Sequence, residues 1–235
     1  MSPVFNTIEV AGLVLNVALL LFLLSERFHR FLVLTAYAAG RLLANVAEFI
    51  ASHKFGHNAA QYARVYWPSE VLMNALLFLM VIVFTYQCLE GNEVRATARR
   101  FLTGIVAVAI VAPFVIYHQR TMFSTRWFNG LIQWFNFGGA IMNLGLWTAL
   151  LANKKRDPQL VMVSIGLGLA VTGAAMGFGL RQFTSASSGA REFANLVVVL
   201  THVLGLFVWC WAFRPAFMRN GGPKQPQPAA TSSGY

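Results

Sequence analysis

Seven apolar segments dominate this chain, and short loops rich in basic residues separate them. Each segment has roughly the 20 or so helical residues needed to cross the hydrocarbon core of a bilayer. The segments cover residues 4–24, 31–51, 69–89, 101–117, 127–151, 160–180 and 193–213. The sequence therefore predicts an all-α, polytopic membrane protein built as a bundle of seven transmembrane helices.

Composition supports one membrane domain without a soluble one. Hydrophobic residues make up 57% of the chain and charged residues 11%, whereas soluble domains carry about 25% charged residues. The longest connections, residues 53–68 and the tail, are too short to bury a core. We expect a transmembrane domain over 1–214 and a disordered cytoplasmic tail over 215–235, which is rich in Gly, Pro, Gln and Ser.

The basic residues predict how the chain is threaded. Cytoplasmic loops collect Lys and Arg, and alternate loops place more of them on one side. That side holds Arg27, Arg30, Arg95, Arg99, Arg100, Lys154, Lys155, Arg156, Arg214, Arg219 and Lys224. The other side holds Lys54, Arg64, Arg120, Arg126, Arg181 and Arg191. This imbalance predicts an outside N-terminus and a cytoplasmic C-terminus. We expect these cations to lie beside lipid phosphates, so the net charge of +10 does not indicate nucleic-acid binding.

Polar side chains recur along one stripe in five of the segments. Ionisable groups at membrane depth are costly and usually face the interior of the bundle. The stripes comprise Glu9 and Asn16; Arg41, Asn45 and Glu48; Glu70 and Asn74; Asn129, Gln133, Asn136 and Asn143; and Asn195 and His202. In the predicted orientation most of them fall in the outer half. The pattern predicts a polar interior that opens outward.

Two interpretations of this interior stay open. It could form a pocket for a small polar or cationic ligand, or a proton-sensitive switch. Alternatively, the same groups could be interhelical hydrogen bonds that lock the bundle. Glu48 and Glu70 favour the first, because a carboxylate is an expensive substitute for an amide where only a hydrogen bond is needed. The predicted ligand-binding residues are Arg41, Glu48, Trp67, Glu70, Asn74, Gln133, Asn195 and His202.

Enzyme and cofactor signatures are not found. The sequence has no G-x-S-x-G, H-E-x-x-H or phosphate-binding loop, so we expect no enzyme activity. None of the four lysines lies in an apolar segment, which excludes a retinal Schiff base, and no histidine pair suits b-type haem. His53 and His57 have helical spacing, but the intervening Gly56 and a loop position argue against a metal site. We expect no cofactor and no metal.

Two further patterns concern packing. Trp67 and Trp127 fall at predicted outer ends of segments, and Trp209 and Trp211 near an inner end, which is typical of an aromatic belt. In the sixth segment, Gly173 and Gly177 form a small-xxx-small pair that lets helices approach closely. We expect this pair to serve internal packing in preference to dimerisation.

One stretch resembles a known group of proteins. The residues Tyr66-Trp67-Pro68-Ser69-Glu70, followed by an apolar run that ends Tyr86-Gln87-Cys88-Leu89-Glu90, are similar to a segment of uncharacterised seven-helix membrane proteins of bacteria, particularly Acidobacteria. The resemblance covers mainly the third segment. It implies a multi-pass protein of the bacterial inner membrane and carries no activity with it.

These patterns favour a small-ligand sensor or binding protein. Because the chain has no output domain, it would signal through its basic inner loops to a cytoplasmic partner. The alternatives are a small secondary transporter or channel subunit, or a structural subunit of a membrane complex. An apolar cytoplasmic half counts against a transporter, which needs a polar path on both sides.

Overall fold

The computed structural model describes residues 3–26, 30–56, 59–89, 95–116, 124–152, 157–183 and 188–214. Within these ranges the regular structure is entirely helical, so the all-α prediction is confirmed. The helices are α1 (Pro3–Glu26), α2 (Leu32–Phe55), α3 (Ala60–Cys88), α4 (Arg95–Ile116), α5 (Thr125–Ala152), α6 (Pro158–Phe183) and α7 (Ser188–Phe213). The predicted tail, 215–235, lies outside the described residues.

Five of the helices are long and apolar enough to cross a membrane. The segments concerned are Leu32–Phe55, Ala60–Cys88, Arg99–Ile116, Pro158–Leu180 and Glu192–Phe213. In α1 the apolar part is the shorter Val10–Leu24. Helix α5 is also long enough at 28 residues and carries several amide side chains among its apolar residues. By length and composition, this architecture is compatible with a multi-pass membrane protein.

Six of the helices pack in a closed ring. In the order α1, α2, α3, α5, α6, α7, each helix contacts the next, and α7 contacts α1 again. Helices α3 and α6 also contact each other across the ring. Among the described helices, α4 packs only against α3 and α5 and so lies outside the ring. Helices α2 and α7 therefore flank α1, and their side chains can meet on its inner side.

Side-chain contacts show which helix ends lie together. An ion pair joins Arg30, just before α2, to Asp157, just before α6. The Phe31 ring lies 6.0 Å from that of Phe84 near the end of α3, and 5.0 Å from that of Phe213 at the end of α7. We call this end of the bundle, which carries Arg30, Asp157 and Arg214, the basic end.

The densest part of the core lies towards the basic end. Phe31, Tyr37, Phe84, Trp209 and Phe213 are all essentially fully buried there. The belt prediction is therefore wrong for Trp209, whereas Trp211 is exposed. Trp127 also departs from the belt position, since it is buried beside Phe114 at 6.0 Å.

Glycines explain how α6 and α7 pack so closely. A Cβ built on Gly173 would lie 1.9 Å from Oγ1 of Thr201, and one on Gly177 would lie 2.1 Å from Cγ2 of Val198. Only a residue without a side chain fits at either position. The prediction that this glycine pair serves internal packing is confirmed.

The connection between α2 and α3 is shorter than predicted. The helices extend into the expected loop of residues 53–68, because α2 continues to Phe55 and α3 begins at Ala60. Gly56, at φ 81°, ends α2 in the left-handed region that glycine tolerates. His53 thus lies in the last turn of α2, stacked on Phe49 at 6.3 Å. His57 lies outside the described residues.

Candidate functional site

An ion pair joins the middle of α2 to α3. Nη1 of Arg41 donates to Oε1 of Glu70 at 2.6 Å. The two side chains are 25% and 15% exposed, so the pair is largely enclosed but accessible. Charged groups within a membrane segment are stable only when they are paired or hydrated. The predicted polar stripes of α2 and α3 therefore face each other.

A second carboxylate, that of Glu48, lies on the same face of α2 as Arg41 and closer to the C-terminal end of that helix. Oγ of Ser69 is 2.7 Å from Oε1 of Glu48 and 2.9 Å from the backbone carbonyl oxygen of Tyr66. A hydroxyl has one proton to donate, so Ser69 can satisfy either acceptor but only one at a time. The stronger bond is the one to the charged carboxylate.

Tyr37 connects this region to α7. Its hydroxyl oxygen lies 3.5 Å from Nδ1 of His202, and its ring meets the Trp209 ring edge-on at 5.8 Å. Arg41 and Glu70 are close enough to His202 to interact with it electrostatically. We define the ion-pair cluster as Tyr37, Arg41, Glu48, Ser69, Glu70 and His202.

The cluster lies beyond the dense core as seen from the basic end. On α2 the large buried side chains are those of Leu34 and Tyr37, and on α7 they run from Leu206 to Phe213. Arg41, Glu48 and His202 follow these on the side away from the basic end and are only half-buried. The aromatic core thus closes the bundle beneath the cluster.

The other predicted ligand-binding residues have different surroundings. Nδ2 of Asn74 donates to the backbone carbonyl of Glu70 at 2.7 Å, next to the ion pair. Trp67 stacks on Phe128 of α5 at 6.3 Å, on a different side of α3. Gln133 lies half-buried on α5 and Asn195 half-buried on α7. The side chain of Glu9 lies outside the described residues. A ligand-binding role for any of these residues stays a prediction.

Asparagines of α1 and α5 are also buried. Nδ2 of Asn16 donates to the carbonyl of Ala38 at 3.1 Å and ties α1 to α2. Asn136 and Asn143 are 2% and 5% exposed. Within the described residues, Nδ2 of Asn136 and Oδ1 of Asn143 have no hydrogen-bond partner. Such atoms are expensive to bury in a bilayer.

Sequence reasoning missed Tyr37 and Ser69. Tyr37 precedes Arg41 by one helical turn and shares its face, so the polar stripe of α2 could have been extended to it. Ser69 stands out in the sequence only as part of the Tyr66–Glu70 stretch. Its partner Glu48 lies on another helix, and no spacing within α3 reveals that contact.

Comparison of the chain with protein-family models, with curated proteins and with solved structures finds no match.

Proposed function

We propose that all seven helices cross the inner membrane of a bacterium, with the N-terminus outside and the basic end in the cytoplasm. The contacts of Phe31, just before α2, with Phe84 of α3 and Phe213 of α7 place alternate helix ends together. With the excess of Lys and Arg on one side, they support this arrangement. The resemblance of the Tyr66–Glu70 stretch to bacterial seven-helix proteins agrees with it. A fluorescent protein fused after Tyr235 should fold and fluoresce in the cytoplasm. An alkaline phosphatase fused there should be inactive, and the reverse pattern would overturn the orientation.

Within that arrangement, the chain is a sensor that binds a small cation at the ion-pair cluster. The observation that carries this proposal is the charge balance, since two carboxylates, Glu48 and Glu70, accompany one guanidinium, Arg41. The Arg41–Glu70 pair neutralises itself. Glu48 has a hydroxyl partner in Ser69 and only the longer-range attraction of Arg41, so the two carboxylates share one guanidinium. A ligand cation at Glu48 would complete the charge balance.

Because of Ser69, binding of a cation at Glu48 costs little free energy. When a cation takes the carboxylate, the Ser69 hydroxyl can turn to the Tyr66 carbonyl, 2.9 Å away. No buried donor is then left unsatisfied, which would otherwise cost about 1–3 kcal/mol. The cation replaces a hydrogen bond that has an alternative already in place.

A route from the cluster to the cytoplasm is built into the packing. Tyr37 contacts Trp209 of α7, and Nε1 of Trp209 donates to the carbonyl of Val163 on α6 at 2.9 Å. Helix α6 begins beside the Arg30–Asp157 ion pair at the basic end. A shift of α2 on ligand binding would reach the inner loops through these contacts, where a cytoplasmic signalling partner would detect it.

Thermal unfolding of the purified protein in detergent tests ligand binding. At constant ionic strength, Na⁺, K⁺, ammonium and tetramethylammonium are titrated separately. At least one should raise the Tm in a saturable manner, and Glu48→Gln should abolish that rise. Glu192→Gln, which neutralises an exposed carboxylate on α7, is the matched control and should leave it intact. The proposal fails if no cation shifts the Tm, or if Glu48→Gln responds like the parent.

A small transporter is the second candidate, and Asn136 and Asn143 favour it. Their unpartnered atoms lie on α5, and Asn143 is towards the basic end. There they could bind solute or water on an inward path. Uptake of the active cation into proteoliposomes, lost in Asn143→Leu but retained in Asn129→Leu, would establish transport. Binding without uptake would leave sensing as the function.

A further inference from the structure

Four residues, two of them tyrosines, form a stripe on the face of α3 that contacts α2. Tyr62, Tyr66, Ser69 and Met73 follow the i, i+4, i+7, i+11 spacing of one helical face. Two members show where that face points. Ser69 contacts Glu48, and the Met73 methyl group would lie 3.0 Å from a Cβ on Gly40. Both contacts are with α2, so the two tyrosines extend the same stripe past Ser69.

The tyrosine rings form a stacked pair on α3, in the turns that precede Ser69. Tyr62 and Tyr66 are stacked at 5.7 Å with an interplanar angle of 18°. Trp67 meets the Tyr66 ring edge-on at 5.0 Å. Both tyrosines are half-buried, and Tyr66 lies one helical turn before Ser69, whose hydroxyl contacts Glu48.

The opposing face of α2 is lined by small residues. Ala44 and Ala51 lie one helical turn on either side of Glu48, and they are 7% and 4% exposed. Helices α2 and α3 run antiparallel, with Gly40 beside Met73 and Glu48 beside Ser69. That register brings Ala51 to the level of Tyr66. The carboxylate is thus set in an apolar strip that faces aromatic rings.

This chemistry selects one class of cation. Hydrated metal ions such as Ca²⁺ require six or more oxygen ligands, and the described residues contain no group of three His, Cys, Asp or Glu side chains suited to a metal. An organic ammonium needs one counter-charge and the faces of aromatic rings, which attract it by cation–π interaction. On the basis of the proposed cation-binding function, we propose that the ligand is an alkylated ammonium compound, held by Glu48 and the Tyr66 ring.

A pair of isosteric probes tests this proposal on the unmodified protein. Choline and 3,3-dimethylbutan-1-ol have nearly the same shape and differ by the exchange of the charged nitrogen for carbon. Choline should bind, as measured by thermal shift and isothermal titration, and the neutral alcohol should bind at least tenfold more weakly. Equal binding of the two probes would show that shape alone is recognised and would overturn the proposal.

Variants then identify the aromatic contribution. Tyr66→Leu should weaken choline binding about tenfold, corresponding to about 1.4 kcal/mol, and Tyr66→Phe should retain it. Phe49→Leu removes a ring that is 71% exposed on another side of α2 and should have no effect. If Tyr66→Leu does not fold, the comparison of choline with the neutral alcohol on the parent protein still tests the proposal.

The outcomes also separate this inference from the proposed function. Binding of Na⁺ or K⁺ that depends on Glu48, with no binding of choline, would refute the ammonium assignment and leave cation sensing intact. If no cation binds, choline included, both the ammonium assignment and the proposed cation-sensing function are refuted.

Discussion

The guanidinium of Arg41 and the carboxylate of Glu70 lie 2.6 Å apart between α2 and α3. Each group provides the counter-charge for the other, and together they join α2 to α3 at the position where Tyr37 reaches across to α7. Removing one member should therefore be much more harmful than removing both.

A double-mutant cycle tests the interdependence of this pair. Arg41→Met and Glu70→Met should each lower the Tm strongly, by a loss of up to about 3–5 kcal/mol, because each leaves an uncompensated charge. The double variant should be more stable than either single variant. Thermal unfolding in detergent provides the measurement, and strictly additive losses would show that the two groups act independently.

Gly166 should be intolerant of any side chain. Its Cβ would lie 2.5 Å from Nε1 of Trp209 and 2.9 Å from the Gly205 carbonyl oxygen. Gly166→Ala should cost about 1–3 kcal/mol, as overpacking does. Gly104 has no atom within 4 Å of that position, so Gly104→Ala should be neutral or stabilising by up to about 1 kcal/mol. Equal stability of the two variants would contradict the packing described for Trp209.

The contact between Gly177 and Val198 predicts a compensating pair. Gly177→Ala should destabilise the protein, because the new methyl group would lie 2.1 Å from Cγ2 of Val198. Adding Val198→Ala removes that methyl group and leaves the nearest Val198 atom at 3.5 Å. The double variant should regain part of the lost Tm. The oligomeric state, followed by light scattering with detergent correction, should be the same in all three variants. A shift confined to that state would instead indicate a dimer interface.

Asp157 has two roles that substitution can separate. Its Oδ1 accepts a hydrogen bond from the Gln159 backbone N–H at 2.9 Å, which caps α6, and its Oδ2 pairs with Arg30. Asp157→Ala should cost about 1 kcal/mol through loss of the cap. Asp157→Asn keeps a capping oxygen and should lie close to the parent, because a pair this exposed contributes at most about 1 kcal/mol. If Asn is as damaging as Ala in thermal unfolding, the ion pair matters more than the cap.

Much of the fold could be predicted from hydrophobic periodicity. The segments 31–51 and 160–180 correspond closely to α2 and α6. The polar stripes of α2 and α3 do face each other, as shown by Arg41 and Glu70, because desolvation leaves charged groups few alternatives in lipid. On each helix the polar residues recur about once per turn along one face, and this spacing is visible in the sequence.

The remaining features depend on neighbours that are distant in the chain. Residues 53–68 were predicted as a connection, yet Pro68 lies inside α3, where stacked tyrosines one turn apart support the preceding turns. Trp209 looked like an interfacial residue, but the space left by Gly166 and Gly205 brings it into the core. Which partner Glu48 binds depends on how α2 and α3 are aligned, and neither helix encodes that alignment alone.

The glycine-lined contact between α6 and α7 restricts how this protein can change shape. Because the backbones of α6 and α7 approach so closely, no layer of side chains between them can repack. The two helices therefore form a single rigid pair. A rearrangement that admitted a molecule to Glu48 would therefore displace α2 and α3 against this pair of helices, at the boundary where Tyr37 contacts Trp209.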